Sequence, residues 1–111
     1  MLKGREKRRY LAVLHGGQQD GIEIVDLIKE RNSELFGYIS TERSSMRFIQ
    51  SQGVNLVIIS CKLKDIDNIL SAIALTDPPL VTLHMSGTLK RLGKSILSKE
   101  LTKIGYPQKL Y

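Results

Sequence analysis

A nine-residue run of apolar and β-branched residues constrains the fold of this chain more than any other feature. Residues 54–62, VNLVIISCK, have the composition of a β-strand. Because side chains alternate between the two faces of a sheet, Leu56 and Ile58 point one way and Val57 and Ile59 the other. Both faces of this strand are therefore apolar, which predicts a central strand that needs a packed layer on each side.

A helix is predicted before this strand by its start and stop signals. Asp20 and Glu23 have the spacing of a capping box, and Gly37 suits the position just past a helix end near Phe36. The periodicity predicts an apolar side formed by Ile24, Val25, Ile28, Leu35 and Phe36, and a water-facing side formed by Asp26, Lys29, Glu30 and Asn32.

Hydrophobic patterns and turn residues predict the remaining elements. Asp65 stands where a carboxylate would stabilise the start of a helix that Asp77-Pro78-Pro79 then breaks. The other predicted elements are strands at 10–15, within 39–50 (clearest at 46–50, with a turn at 51–53) and at 80–85, and an amphipathic helix at 89–104.

The order β-α-β-β-α-β-α predicts the fold class. Its first six elements are those of the ferredoxin-like (RRM-like) βαββαβ unit, an α+β fold with both helices on one face of a four-stranded antiparallel sheet. The additional C-terminal helix, or a partner protein, would cover the other face. We expect one domain over residues 1–111, with a basic and flexible N-terminus at 1–8.

Positive charge is concentrated at the two ends of the chain. Residues 1–9 and 90–111 together hold 11 of the 17 basic residues and only 2 of the 11 acids. This distribution favours contact of the ends with a polyanion, although solvated ends that keep the protein soluble would give the same pattern. Lys90, Arg91 and Lys94 fall on one side of the predicted last helix, and the hydroxyls of Ser86 and Thr88 could each cap it.

Residues typical of catalytic or metal sites are few. His15 and His84 each lie at a strand end without an acid or a cysteine at metal-ligand spacing. Cys61 lies in an apolar run, which predicts a buried, unreactive thiol. We therefore predict no catalytic residue and no metal ligand in this chain. The absence of a signal-peptide pattern and of a long apolar run predicts a protein inside the cell.

Three segments resemble the ribonuclease P protein family called component two in archaea, which is related to the eukaryotic Pop-five subunit. The basic start of the first strand, Lys7-Arg8-Arg9-Tyr10-Leu11, resembles the family's Arg-Tyr-aliphatic start, and Glu34-Leu35-Phe36-Gly37 resembles the end of its first helix. The segment 81–90, VTLHMSGTLK, resembles its final strand and the Ser-Gly-Thr turn, here Ser86, Gly87 and Thr88. Ser60-Cys61-Lys62 departs from the family's frequent pair of arginines around the cysteine.

The resemblance implies an accessory, RNA-binding protein in the ribonucleoprotein that removes the 5′ leader from precursor tRNA. In that family the RNA performs the hydrolysis with its own Mg²⁺ ions, so no cofactor is expected on the protein. The implied partners are the ribonuclease P RNA, precursor tRNA and the TIM-barrel subunit, archaeal component three, in a two-plus-two assembly with a possible contact between two copies of this chain. We expect Arg8, Arg9, Lys90, Arg91 and Lys94 to contact phosphates, and a cytoplasmic location.

Two alternatives remain open from the sequence. Ferredoxin-like domains also serve as protein-interaction or small-ligand regulatory modules, because the fold alone does not determine function. A small metal-independent enzyme using His15 or His84 is the third hypothesis, and it requires activity in the purified protein.

Overall fold

One antiparallel sheet organises the molecule. A computed structural model describes residues 7–17 and 19–96, and the strand order in its sheet is β2-β3-β1-β4. The strands are β1 (Arg8–Leu14), β2 (Arg47–Gln52), β3 (Leu56–Lys62) and β4 (Val81–Ser86), and the helices are α1 (Gly21–Phe36), α2 (Tyr38–Ser44), α3 (Ile66–Ala74) and α4 (Leu89–Ile96). The architecture is the expected ferredoxin-like α+β fold, with β1 and β3 at its centre. The predictions for residues 1–6 and 97–104 lie outside the described residues.

The main core lies between the sheet and the helices α1 and α3, which contact each other on one face. Val57 and Ile59 of β3 are fully buried in this layer. The other members come from all three elements that meet there, and include Leu11, Val13, Ile24, Val25, Ile28, Cys61, Ile69, Ala72 and Ile73.

A smaller core lies on the opposite face, under α4. Leu92 of α4 is fully buried there against Ala12 of β1 and against Leu56 and Ile58 of β3. The prediction that β3 is apolar on both faces is therefore confirmed. We predicted that either the last helix or a partner protein would cover the second face. The last helix, α4, packs there against β1 and β4.

The start of α1 is as predicted, but part of its outer surface is not. The Asp20 carboxylate accepts the Glu23 N–H at 3.0 Å, and the Glu23 carboxylate accepts the Asp20 N–H at 2.9 Å, which completes the capping box. Asn32, expected to face water, is fully buried because α2 folds against it. Leu35 and Phe36, expected in the core, are each 40% exposed.

The helix α2 was not predicted, because residues 39–44 were assigned to the region of the second strand. Thr41 anchors it: its hydroxyl accepts the Asn32 Nδ2–H at 2.8 Å and donates to the Gly37 carbonyl at 3.1 Å. Ser45 then adopts a left-handed conformation, with φ of 51°, and ends the helix. The β-branched residues of this segment favour a strand locally, whereas the contact with α1 favours the helix.

A further boundary differs from the prediction. The strand β2 continues through Ser51 and Gln52, so the turn to β3 falls at residues 53–55, where Gly53 has a φ of +70°. Asp65 does precede α3, but its side chain makes no capping hydrogen bond and instead lies 3.5 Å from Arg43 Nη2. The predicted position of the carboxylate at the start of α3 is therefore confirmed, and the same carboxylate also pairs with Arg43. Within the described part of the chain, no helix has the length and apolar character to cross a membrane.

Candidate nucleic-acid interface at one end of the sheet

Antiparallel pairing brings basic residues from distant parts of the sequence to one end of the sheet. The start of β1, the end of β3, the start of β2 and the end of β4 all lie there. Arg8 is opposite Lys62, and Arg47 is opposite Ser60. We call this surface the basic end, and it comprises Arg8, Arg9, Arg47, Lys62, Lys90 and Arg91.

The Ser-Gly-Thr turn lies directly beside the basic start of β1. The Arg9 guanidinium donates from Nη1 to the Arg8 carbonyl at 2.9 Å. A Cβ on Gly87 would stand 3.4 Å from the same Nη1 atom, which is ordinary van der Waals contact, so the guanidinium lies against the turn. Two motifs that the sequence analysis selected separately are therefore in contact.

The two hydroxyls of this turn shape the start of α4. Thr88 Oγ1 accepts the Arg91 N–H at 3.2 Å as the N-cap of the helix, and Ser86 Oγ accepts the Thr88 N–H at 3.3 Å. The predicted capping is thus made by Thr88. Each hydroxyl uses a lone pair in these bonds and keeps its own proton, which a phosphate oxygen could accept.

The side of α4 away from the sheet is basic. Lys90, Arg91 and Lys94 are all exposed, because the burial of Leu92 fixes which side of the helix faces the core. Residues three and four positions apart lie next to each other on a helix, so Lys94 extends the surface formed by Lys90 and Arg91. The segment Leu89–Ile96 contains no acidic residue to neutralise them.

Arg8 is the most constrained of the predicted phosphate contacts. It is half-buried, and its Nε donates to Ser60 Oγ at 2.8 Å. Its Nη1 donates to Ser45 Oγ at 3.2 Å and its Nη2 to the Ser45 carbonyl at 2.5 Å. Burial, and next the positive charge of Arg47, lowers the pKa of Arg8 from its usual value. Ser60 is buried, and its hydroxyl serves to hold Arg8.

Arg47 and Lys62 are the basic-end residues that sequence reasoning missed. Both lie in the acid-leaning middle of the sequence, where the charge count gave no reason to select them. The predicted topology could have identified both residues, since antiparallel pairing places the end of β3 and the start of β2 near the start of β1. The pattern of charge along the chain therefore underestimates the charge of the folded surface.

The two histidines lie apart from the basic end. His15 follows the far end of β1, is 7% exposed, and accepts the Gly17 N–H on Nδ1 at 3.1 Å. His84 lies on β4 opposite Ala12 of β1, and its Nε2 atom is buried without a hydrogen-bond partner. Among the described residues, no three His, Cys, Asp or Glu side chains come together as a metal-binding group.

Cys61 is buried in the main core, as the sequence predicted. Burial raises the pKa of its thiol to about 11; the positive charge of Arg8 opposes this rise, and the Asp65 carboxylate adds to it. A thiol with this pKa is almost entirely protonated at neutral pH, so it is a poor nucleophile and a poor metal ligand.

Apolar side chains are exposed where α1 meets α2. Leu35 and Phe36 at the end of α1 are each 40% exposed, and Tyr38 and Ile39 at the start of α2 are 69% and 76% exposed. Four neighbouring exposed apolar side chains are unusual on a free surface and are typical of protein contacts. We refer to these four residues as the apolar corner.

The fold and these surfaces define a small ferredoxin-like α+β protein with a basic sheet end and a basic last helix. Comparison with models of protein families and with curated proteins gave no match for the chain.

Proposed function

We propose that this chain is a protein subunit of ribonuclease P that binds the catalytic RNA and supports removal of the 5′ leader from precursor tRNA in the cytoplasm. The observation that carries the proposal is the convergence of Arg8, Arg9 and the Ser-Gly-Thr turn with the basic start of α4. These are the segments whose sequence resembles component two of the archaeal enzyme.

The proposed role of the protein is electrostatic. A folded RNA brings phosphates close together, and cationic side chains that lie against them reduce the repulsion and release condensed counterions. The RNA, with Mg²⁺ held by its own phosphates, would perform the hydrolysis. The protein would bind and orient RNA without touching the bond that is cleaved.

The resemblance also supplies the proposed protein partners. The TIM-barrel subunit, archaeal component three, would bind this chain in a two-plus-two assembly. The apolar corner supports a protein contact, since it gives the chain exposed apolar side chains.

Recovery of the bound RNA is the first test of this function. The tagged chain, purified gently from its native cell, should carry one structured RNA that cleaves precursor tRNA in the presence of Mg²⁺. Recovery of a protein partner or of the chain alone, with no RNA, would reject the proposal. That result would favour the second candidate, a protein-interaction module, for which the apolar corner is the specific observation.

Charge removal on α4 is the second test. The variant Arg91→Ala/Lys94→Ala should weaken binding of the recovered RNA and flatten its salt dependence by about two units of slope, one for each phosphate contact. The matched control is Lys29→Ala/Arg31→Ala on α1, which also removes one Lys and one Arg. Equal slopes for the two variants would exclude α4 from the RNA interface.

A further inference from the structure

Arg8 and Arg47 lie on either side of Ser60, on the face of the sheet that α4 partly covers. Arg47 is the cross-strand partner of Ser60, and Ser60 Oγ accepts the Arg8 Nε–H at 2.8 Å. Directly opposed residues in an antiparallel pair have Cβ atoms about 5 Å apart on the same face. Arg8 also reaches Ser45, two residues before Arg47 in the chain. The two arginines therefore approach each other from either side of Ser60.

The Arg8 guanidinium is held in one orientation. A guanidinium has five N–H donors, and three of them are used by Ser60 and Ser45. Two N–H groups remain for an external acceptor. Because the side chain is already fixed, binding a ligand would cost little further rotamer entropy.

Within the part of the chain that the structure describes, no acid forms an ion pair with either arginine. The ion pairs within the described residues are Arg31–Glu34 and Arg43–Asp65, and neither includes Arg8 or Arg47. Arg47 also lowers the pKa of Arg8, which is the effect of a nearby like charge. An anion bound between the two guanidiniums would relieve this repulsion, and a phosphate could accept from the remaining N–H groups of Arg8 and from the guanidinium of Arg47.

The position of the pair indicates an RNA phosphate. Register places Arg47, Ser60, Tyr10 and Ser86 in one row across the sheet, and Ser86 begins the turn into α4. Three strand spacings of about 4.8 Å separate β2 from β4, so the row is about 14 Å long. An RNA backbone in contact with the start of α4 can therefore continue across the sheet end to Arg47.

We propose that Arg8 and Arg47 form a two-arginine site that binds a phosphodiester of the RNA, next to and distinct from the contacts of α4. This inference rests on the proposed function for the identity of the ligand. It adds β2, a strand without any motif of its own in the sequence, to the RNA interface.

The site is tested first with inorganic phosphate, independently of any RNA. In ¹⁵N-resolved NMR spectra of the intact chain, phosphate should shift the Arg8 Nε–H signal, which is protected by its bond to Ser60. The shift should be lost in Arg47→Gln and retained in Arg31→Gln, whose arginine lies on α1. No saturable shift in the unmodified chain, or an equal shift in both variants, would overturn the two-arginine site.

The RNA recovered with the chain then tests the ligand. Arg47→Gln should weaken its binding several-fold and reduce the salt slope by about one unit, whereas Arg31→Gln should leave both unchanged. Arg47→Lys should restore the salt slope without the full affinity, because it keeps the charge but loses the fork. If the chain binds RNA and Arg47→Gln matches Arg31→Gln, the inference fails while the proposed function stands. If phosphate binds and no RNA does, the proposed function and the assignment to RNA both fail.

Discussion

At the scale of single residues, the structure assigns roles that depend on contacts between distant parts of the chain. Gly21, the first residue of α1, is buried against the ring of Phe48 on β2, and a Cβ at this position would collide with that ring. Gly16, five residues earlier, has no atom within 4 Å of the position where its Cβ would be. Both glycines lie near the start of α1 in the sequence, so local sequence alone does not distinguish the packed glycine from the free one.

The variant Gly21→Ala should destabilise the protein by about 1–3 kcal/mol, because the added methyl group displaces the ring of Phe48 or the first turn of α1. Gly16→Ala is the matched control, and it should change the free energy of unfolding by less than about 0.5 kcal/mol. Urea unfolding of the two variants measures the difference. Equal stability of the two variants would show that Gly21 is not closely packed.

Cys61 should react at least about 100-fold more slowly with a thiol reagent at pH 8 than an ordinary thiol, since a pKa of about 11 leaves about 100-fold less thiolate. The same chain in concentrated urea should react at the ordinary rate. Ionisation of the thiol above pH 9 favours the unfolded chain, so this residue should lower stability as the pH rises from 9 towards 11. Fast modification of the folded protein would contradict the buried position.

At the scale of elements, the sequence best predicts those helices and strands for which the hydrophobic periodicity and the capping residues agree. The helix α1 has both its capping box and its terminal glycine where they were expected, and β3 has the expected apolar character on both faces. The helix α2 was missed because its anchor, the bond between Asn32 and Thr41, joins two elements rather than neighbours along the chain. The same contact explains why Asn32 is buried.

Among the residues of α4 whose burial is described, Leu92 is the one that is fully buried against the sheet. Leu92→Ala should cost about 2–5 kcal/mol of stability through the cavity it leaves, and should also weaken RNA binding, because the basic side of α4 loses its fixed position. Leu89→Ala, at a position 37% exposed, is the control and should have a much smaller effect on both. Thermal unfolding and RNA titration test the two effects. If a folded Leu92→Ala variant bound RNA as tightly as the unmodified chain, α4 would not be part of the RNA interface.

At the scale of the whole molecule, the fold determines where the charge is. The chain has a formal net charge of +6, and its two basic ends are far apart in sequence. The antiparallel sheet places the start of β1 beside the end of β4, and it adds Arg47 and Lys62 from the acid-leaning middle of the chain. A folded surface with this charge should bind RNA with a strong dependence on salt.

Binding of the recovered RNA should show a log–log salt slope of about −4 to −5. This value follows from about six phosphate contacts at about 0.7 to 0.9 units each, made by Arg8, Arg9, Arg47, Lys90, Arg91 and Lys94. Titrations at several salt concentrations measure the slope directly. A slope near −1 would mean that most of these residues do not contact phosphate.

The sequence by itself determined the strands and main helices, the fold class, the burial of Cys61 and the basic side of α4. These properties depend on local periodicity, caps and composition, which are readable along the chain. Only the tertiary structure decided the helix α2, the burial of Asn32 and the placement of Arg8 and Arg47 on either side of Ser60. Those features depend on the register of strands and on contacts between elements, which no local pattern along the chain encodes.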